Sequence, residues 1–280
     1  MSTRIGAHTV PSLSLVDGNR IPQLGFGVFQ VPPEDTADVV LHALRTGYRS
    51  IDTAAAYENE AGVGEAMSAS GVQRDELFLT TKLPNDDHGR DRTHRALHAS
   101  LERLAQDYVD LYLIHWPVPG RDLYVDTWEA LIELREEGVA RSIGVSNFLP
   151  EHLERIIDAT GVTPVANQVE LHPRFQQPEL RRFHERHRIV TEAWSPLGQG
   201  SILDDPTIEK IASAHRRTPA QVVLRWHAQL GHVAIPKSVT PERIEQNFRV
   251  FDFELSGDEL DAIGRLDNGA RIGGDPATFA

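Results

Sequence analysis

Four residues of this chain could work together on one proton: Asp52, Tyr57, Lys82 and His115. The first two lie in one stretch, Gly47-Tyr48-Arg49-Ser50-Ile51-Asp52-Thr53-Ala54-Ala55-Ala56-Tyr57. A helix-ending glycine leads into a short apolar strand that stops at an aspartate, and a loop of small residues then delivers a phenol. A free phenol ionises at about pH 10, so it is a poor donor at neutrality unless a nearby cation stabilises the phenolate. Lys82 can be that cation, lowering the phenol pKa, while Asp52 pairs with the ammonium, fixes its position and keeps it charged. His115, from the next strand, can bind a substrate oxygen or share the proton. Any one of these residues alone more often means a buried ion pair or a satisfied hydrogen bond. Four of them at three neighbouring strand ends favour catalysis.

Composition adds weight to the lysine. Of 28 basic residues only Lys82, Lys210 and Lys237 are lysines. A chain that otherwise uses arginine keeps lysine where a compact point charge on a flexible stem is needed. Lys210, in an exposed helical pattern, is read as chance.

Two further constellations point to a bound nucleotide. Ser146-Asn147 and Gln168 offer donors and acceptors for a carboxamide, and Trp194 offers a flat face for an aromatic ring, which together suit a nicotinamide. In Ile235-Pro236-Lys237-Ser238-Val239-Thr240-Pro241-Glu242-Arg243, Thr240 is placed as an N-cap and Pro241 as the first helical residue. A helix N-terminus attracts anions, and Lys237 and Arg243 set two cations beside it, so a phosphate is expected there.

The elements that must position these residues alternate along the chain. Ser12–Val16 and Ile21-Pro22, joined by Asp17-Gly18-Asn19-Arg20, predict a hairpin that plugs one end of the molecule. Strand-like runs follow at Leu24–Val28, Arg49–Ile51, Leu77–Thr81, Val109–Ile114, Ser142–Val145, Val165–Val169, Ile189–Ala193 and His232–Ile235. Helical patterns lie between them near 35–46, 60–70, 92–105, 125–137, 150–159, 178–187 and 206–229, with a last one from Pro241. With no linker and no change of composition, residues 1–280 read as one α/β domain, a (β/α)8 TIM barrel with an N-terminal hairpin plug and a short C-terminal tail. An open doubly wound sheet would need a glycine fingerprint after its first strand. Gly25-Phe26-Gly27 lacks the third glycine, and Gly62-Val63-Gly64 sits after a helix start rather than a strand. In a barrel all strand ends share one mouth, which is where active sites form.

The totals exclude other classes. A net charge of −13 argues against nucleic acid or an anionic membrane as partner. With no cysteine there is no disulfide, thiolate metal site or cysteine nucleophile, which fits the cytoplasm. No leader peptide or membrane-spanning run is evident. His184-Glu185-Arg186-His187 reads as a solvated helix and His172-Pro173 as a loop constraint, so no metal is expected. Ser146 and Ser195 lack the glycine elbow of a serine nucleophile.

With these residues in hand, the chain resembles the aldo-keto reductases from about residue 12 to 270. The resemblance rests on Gly47–Ala54, on Ile143-Gly144-Val145-Ser146-Asn147-Phe148 and on Ile235-Pro236-Lys237-Ser238. Trp194 ahead of Ser195-Pro196-Leu197-Gly198 is similar to the bacterial 2,5-diketo-D-gluconate reductase-like branch. The resemblance implies NADPH-dependent reduction of aldehydes and ketones by a monomer, with Asp52, Tyr57, Lys82 and His115 as the catalytic tetrad. It implies extended NADPH against Val28, Ser146, Asn147, Gln168, Trp194, Ser195, Leu197, Gln199, Lys237, Ser238, Val239, Thr240, Arg243 and Asn247. Phe29 and Trp116 are expected as aromatic walls of the substrate pocket. Pro84 stands where many animal members carry a tryptophan, and the tail after Asp267 is short, so a fairly open pocket for small carbonyls is expected. The rival readings are a non-catalytic sensor or channel-associated subunit, and a metal-dependent barrel isomerase or lyase. The intact tetrad counts against the first, and the lack of clustered carboxylate ligands against the second.

Overall fold

A computed structural model describes residues 10–279; the first nine residues, where no leader is expected, and Ala280 lie outside it. Strands β1 (Ser12–Ser14) and β2 (Arg20–Pro22) pair antiparallel, with Leu13 opposite Ile21. Their turn is held by Leu15 N–H donating to Asn19 O at 2.8 Å and by Asn19 N–H donating to the Asp17 carboxylate at 3.0 Å.

Eight parallel strands follow: β3 (Phe26–Gly27), β4 (Ser50–Asp52), β5 (Phe78–Leu83), β6 (Val109–Ile114), β7 (Ala140–Ser146), β8 (Ala166–Glu170), β9 (Val190–Trp194) and β10 (Val233–Ala234). Each pairs with the next in chain order. The ring closes where β10 meets the residues leading into β3. Leu24 bridges Ala234, Gly25 N–H donates to Ala234 O at 2.9 Å, and Ala234 N–H donates to Gln23 O at 3.1 Å. This is the expected TIM barrel. Gly25 and Gly27 face Ile235 there; a Cβ on either would lie 3.0 or 3.1 Å from that residue. The first Gly-X-Gly pair is therefore a seam-closing feature.

Helices α1 (Pro33–Thr46), α2 (Glu60–Ala69), α3 (Arg90–Leu104), α4 (Tyr124–Glu136), α5 (Pro150–Thr160) and α6 (Pro178–His187) run between the strands. The pattern over 206–229, expected as one helix, is two: α7 (Pro206–His215) and α8 (Pro219–Gln229). Arg216 turns left-handed at φ 55°, and Thr218 then caps a new helix, its Oγ accepting from Gln221 N–H. Thr218-Pro219 with glutamine three places on is a helix-start signature, so the break was visible locally. After α9 (Pro241–Phe248) comes α10 (Gly257–Gly264), which was not expected from the sequence; it opens on a Ser256–Glu259 capping box.

Strand alternation divides the core in two. Tyr112 and Ile114 of β6 point outward to the layer between strands and helices. Leu111 and Leu113 point inward, packing with Phe78, Val165, Ala166 and Val233 on Leu15 and Ile21 of the hairpin. The barrel floor is thus apolar and plugged, which leaves the other end to polar chemistry. Among the described residues no helix is long and apolar enough to cross a membrane.

The second Gly-X-Gly pair is also explained by packing. A Cβ on Gly64 of α2 would overlap the backbone carbonyl of Leu104, where α3 ends. Gly64→Ala is expected to destabilise the protein by about 1–2 kcal/mol, overpacking outweighing the ~1 kcal/mol that alanine gains in a helix. Urea unfolding would check this, and a stabilised variant would mean that the end of α3 yields freely.

Candidate active site

The carboxyl ends of the barrel strands meet at one mouth. Asp52 is the last residue of β4, and Lys82 lies on β5, which runs two residues further than the sequence pattern indicated. The Lys82 ammonium is fully buried and has three partners. It donates to Asp52 Oδ1 at 2.6 Å, to the Thr53 carbonyl at 2.9 Å and to Tyr57 Oη at 3.3 Å. The loop bearing Tyr57 is held by Asn59, whose Nδ2 donates to the carbonyls of Val28 and Val31 at 2.9 and 3.2 Å while its Oδ1 accepts from Thr53 Oγ1. The Tyr57 ring packs between Phe29, 5.0 Å away by centroids, and the edge of His115 at 5.7 Å. The four residues expected to act together do converge.

Electrostatics modify one expectation. Burial is the largest influence on the Tyr57 phenol and raises its pKa; Lys82 lowers it by charge and hydrogen bond, and Asp52 and Glu192 push it back up. The net shift is upward. Lys82 acts in the expected direction, but burial outweighs it, so the phenol stays protonated throughout the neutral range. Burial also works against the Lys82 cation, yet Asp52 and the phenol hold its pKa above the ordinary lysine value. His115 is pushed down to about 3, by burial first and the Lys82 charge second. It is a neutral imidazole, able to donate one N–H but not to act as a cationic acid.

The carboxamide candidates come together but largely bind one another. Ser146 Oγ donates to the Gln168 carbonyl at 2.7 Å. Asn147, in a left-handed turn at φ 62°, donates from Nδ2 to His115 O and to Ser146 Oγ, each at 3.0 Å, and accepts from Trp194 Nε1–H at 2.8 Å. Gln168 donates from Nε2 across the barrel to Asp52 Oδ2 at 2.7 Å and to Glu192 Oε2 at 3.1 Å. What these three side chains have left is acceptor capacity, which suits the NH2 of a carboxamide.

Val28, buried, and Phe29, 51% exposed, sit where β3 leaves the barrel. Ser195 and Gln199 adopt left-handed conformations on either side of Leu197, giving the loop after β9 a strained path over the mouth. At the start of α9, Thr240 occupies the N-cap position, but its hydroxyl makes no capping bond. Instead Ser238 Oγ accepts from Thr240 N–H at 3.1 Å. The first turn of α9 therefore has no side-chain cap, and Lys237, Val239 and Arg243 are exposed around it while Asn247 is buried beneath. That arrangement suits an anionic group with an apolar neighbour.

One further expectation is corrected. His184 is not solvated: it is buried, with Nε2 against Asn167 Nδ2 at 3.0 Å and Nδ1 against Thr191 Oγ1 at 2.8 Å. The short tail is also tied down at the mouth. Ile272 and Gly273 N–H donate to the two oxygens of buried Glu170 at 2.6 and 2.7 Å. This anchor carries the tail over the mouth, where Phe279 stacks on Trp116 with centroids 3.9 Å apart. Pattern reading missed Glu170 and Glu192; only Glu192, a carboxylate inside the strand-like run Ile189–Ala193, carried a local sign. No group of three or more His, Asp or Glu among the described residues is arranged to hold a metal ion.

The sequence profile of the Aldo/keto reductase family matches residues 23–268. An aldo-keto reductase of Mycolicibacterium smegmatis is 58% identical over 269 residues, covering 96% of this chain and 98% of that protein. The methylglyoxal reductase DkgA of Escherichia coli is 55% identical over 269 residues, covering 95% and 97%. Among solved structures, a variant of Gox0644 in complex with NADPH superposes with a TM-score of 0.94 at 53% identity, covering 97% of this chain and 99% of that one.

Proposed function

The chain belongs to the aldo/keto reductase family, and from that premise we propose that it reduces small aldehydes, ketones, diketones or keto-sugars to alcohols with NADPH, Tyr57 being the general acid. The observation that carries the reading is the buried Lys82 ammonium bonded at once to Asp52 and to the Tyr57 phenol. It sets a fixed positive charge beside the one hydroxyl at the mouth that would turn negative on giving up its proton.

When bound, NADPH supplies the hydride that the carbonyl carbon receives. The protein's part is proton and charge. Tyr57 Oη gives its proton to the carbonyl oxygen, and the charge left on the phenol lies next to Lys82, whose own position is held by Asp52 and the Thr53 carbonyl. Neutral His115 donates an N–H to the same substrate oxygen and orients it. Phe29 and Trp116, with Phe279 stacked on the latter, wall the pocket.

The residues present fit the cofactor. Ser146, Asn147 and Gln168 would take the carboxamide, Trp194 the nicotinamide ring, and Val28 the near wall. Ser195, Leu197 and Gln199 would lie along the diphosphate span. Lys237, Ser238, Val239, Thr240, Arg243 and Asn247 would hold the adenosine end with its 2′-phosphate. The reading is of a cytoplasmic monomer acting on a small carbonyl, with neither nucleic acid nor membrane as partner.

The test is loss of NADPH absorbance against a panel of aldehydes, keto-sugars and α-dicarbonyls, with and without a chelator. Methylglyoxal belongs in the panel because DkgA is named for it. No turnover across the panel would overturn the reading and favour a non-catalytic, cofactor-sensing barrel subunit; loss of turnover with chelator would favour a metal mechanism. Cofactor choice gives a second check. NADPH differs from NADH by the 2′-phosphate, and a hydrogen bond to a charged group is worth about 1.5–3 kcal/mol. Arg243→Ala should weaken NADPH by about 10- to 100-fold and leave NADH nearly unchanged, as followed by quenching of tryptophan fluorescence. Equal losses for both cofactors would move Arg243 to the diphosphate or to the fold.

A further inference from the structure

Behind the Asp52–Lys82–Tyr57 cluster lies a carboxyl that the proposed chemistry does not use. Glu192 sits in the middle of β9, in register with Gln168 on β8, and only 1% of it is exposed. The same Gln168 Nε2 donates to Asp52 at 2.7 Å and to Glu192 at 3.1 Å, so the two carboxyl groups are neighbours across one shared donor. Asp52 has in addition the ammonium of Lys82 at 2.6 Å. At the level of Glu192 the strand on its other side, β10, offers the apolar Val233. The titratable groups that face Glu192 are therefore Asp52 from β4 and Lys82 from β5, with Tyr57 beyond Lys82. One buried cation is set against two buried carboxyls, an arrangement in which one of the two must keep its proton.

We propose that Glu192 is a positioning residue that sets the pH range of the reaction: uncharged, it leaves the Lys82 charge to Asp52 and the phenol; ionised, it adds a second negative charge behind them and opposes proton loss from Tyr57. This rests on the reading of Tyr57 as the acid. Burial first, and then the Asp52 charge, push the Glu192 carboxyl up to about 8, against the Gln168 hydrogen bond and Lys82, which draw it down. The other groups at the mouth titrate elsewhere, His115 at about 3 and Tyr57 above its ordinary value. A fall in reduction on the mildly alkaline side thus belongs to the carboxyl pair of Glu192 and Asp52, which share the Gln168 donor, and not to the phenol.

The same proton also links stability to pH, with no substrate needed. Unfolded, the carboxyl ionises at about 4.3. Between that value and about 8 the folded state holds a proton that the unfolded state has lost, so this group's contribution to stability falls as pH rises through the window and levels off above it.

The experiment is the pH profile of kcat/KM for carbonyl reduction between pH 5.5 and 9.5 in wild type, Glu192→Gln and Glu192→Asp, with thermal unfolding over the same range. Wild type should fall about tenfold from its plateau by one unit above the midpoint. The Glu192→Gln variant should lack that limb, and Glu192→Asp should restore it. The melting temperature of Glu192→Gln relative to wild type should rise from pH 5.5 to pH 8. Superimposable profiles in wild type and Glu192→Gln would overturn the inference, as would a melting difference that does not vary with pH. A Tyr57→Phe enzyme of normal activity would instead overturn the reading of the acid, so the two failures are told apart.

Discussion

Tyr57→Phe is expected to slow carbonyl reduction by about 10²- to 10⁴-fold, the usual contribution of a positioned general acid. In energetic terms that is roughly 3–5 kcal/mol of barrier, at ~1.4 kcal/mol for each factor of ten. The substitution removes one oxygen and little else. The ring keeps its contacts with Phe29 and with the edge of His115. Lys82 loses its longest bond, at 3.3 Å, and keeps those to Asp52 at 2.6 Å and the Thr53 carbonyl at 2.9 Å. Fold and NADPH affinity should therefore survive, which separates loss of the acid from loss of the site. Single-turnover NADPH oxidation, with cofactor binding measured on the same sample, is the check. Reduction at near wild-type rate would mean that the proton comes from elsewhere, and His115, neutral at working pH, is a weak alternative.

Lys82→Met is expected to cost both activity and stability. The activity loss should equal or exceed that of Tyr57→Phe, because the phenolate would form beside an unneutralised Asp52 with no cation to meet it. For stability, breaking a buried ion pair at one partner typically costs about 3–5 kcal/mol, since the other charge is left buried and unpaired. Both side chains here are almost wholly covered, at 0% and 4% exposed. Changing the partner as well should recover much of the lost stability: Asp52→Asn with Lys82→Met should unfold in urea close to wild type yet remain inactive. If the double variant is no more stable than Lys82→Met alone, the cost lies in packing and not in the orphaned charge. Lys82→Arg should not rescue activity either, because a wide planar guanidinium does not fit a fully enclosed site shaped for a point charge.

Much of this molecule could be read along the chain. The eight strand–helix alternations, the plugging hairpin and the mouth-facing positions of Asp52, Lys82, His115, Ser146, Gln168, Trp194 and Lys237 rest on short-range periodicity. The topology of a parallel barrel then carries every strand end to the same side. The split between α7 and α8 was equally local; Thr218-Pro219 announced it, and the longer apolar pattern obscured it. The lysine-poor composition pointed to Lys82, which proves to be fully buried.

What the chain order could not show is whatever depends on opposite walls of the barrel or on burial. Gln168 meets Asp52 from four strands away in a ring of eight, so no spacing in the sequence encodes the contact. Glu170 and Glu192 look like ordinary acidic residues until the fold buries one against the tail and the other beside the Asp52–Lys82 pair. The tail reaches Trp116 along a path fixed by residues far back in the chain: Arg174 O accepts from Asn268 and Ala270 N–H, and Glu170 holds Ile272 and Gly273. The phenol shows the reason most clearly. Neighbouring residue types indicated that Lys82 would lower its pKa, and it does; but desolvation is a property of the assembled site, summed over every atom that displaces water from Tyr57, and it reverses the net direction. Residue identity determined which ionisable groups would be present, and the tertiary structure, by deciding how little water would be left around them, decided which of them carry charge.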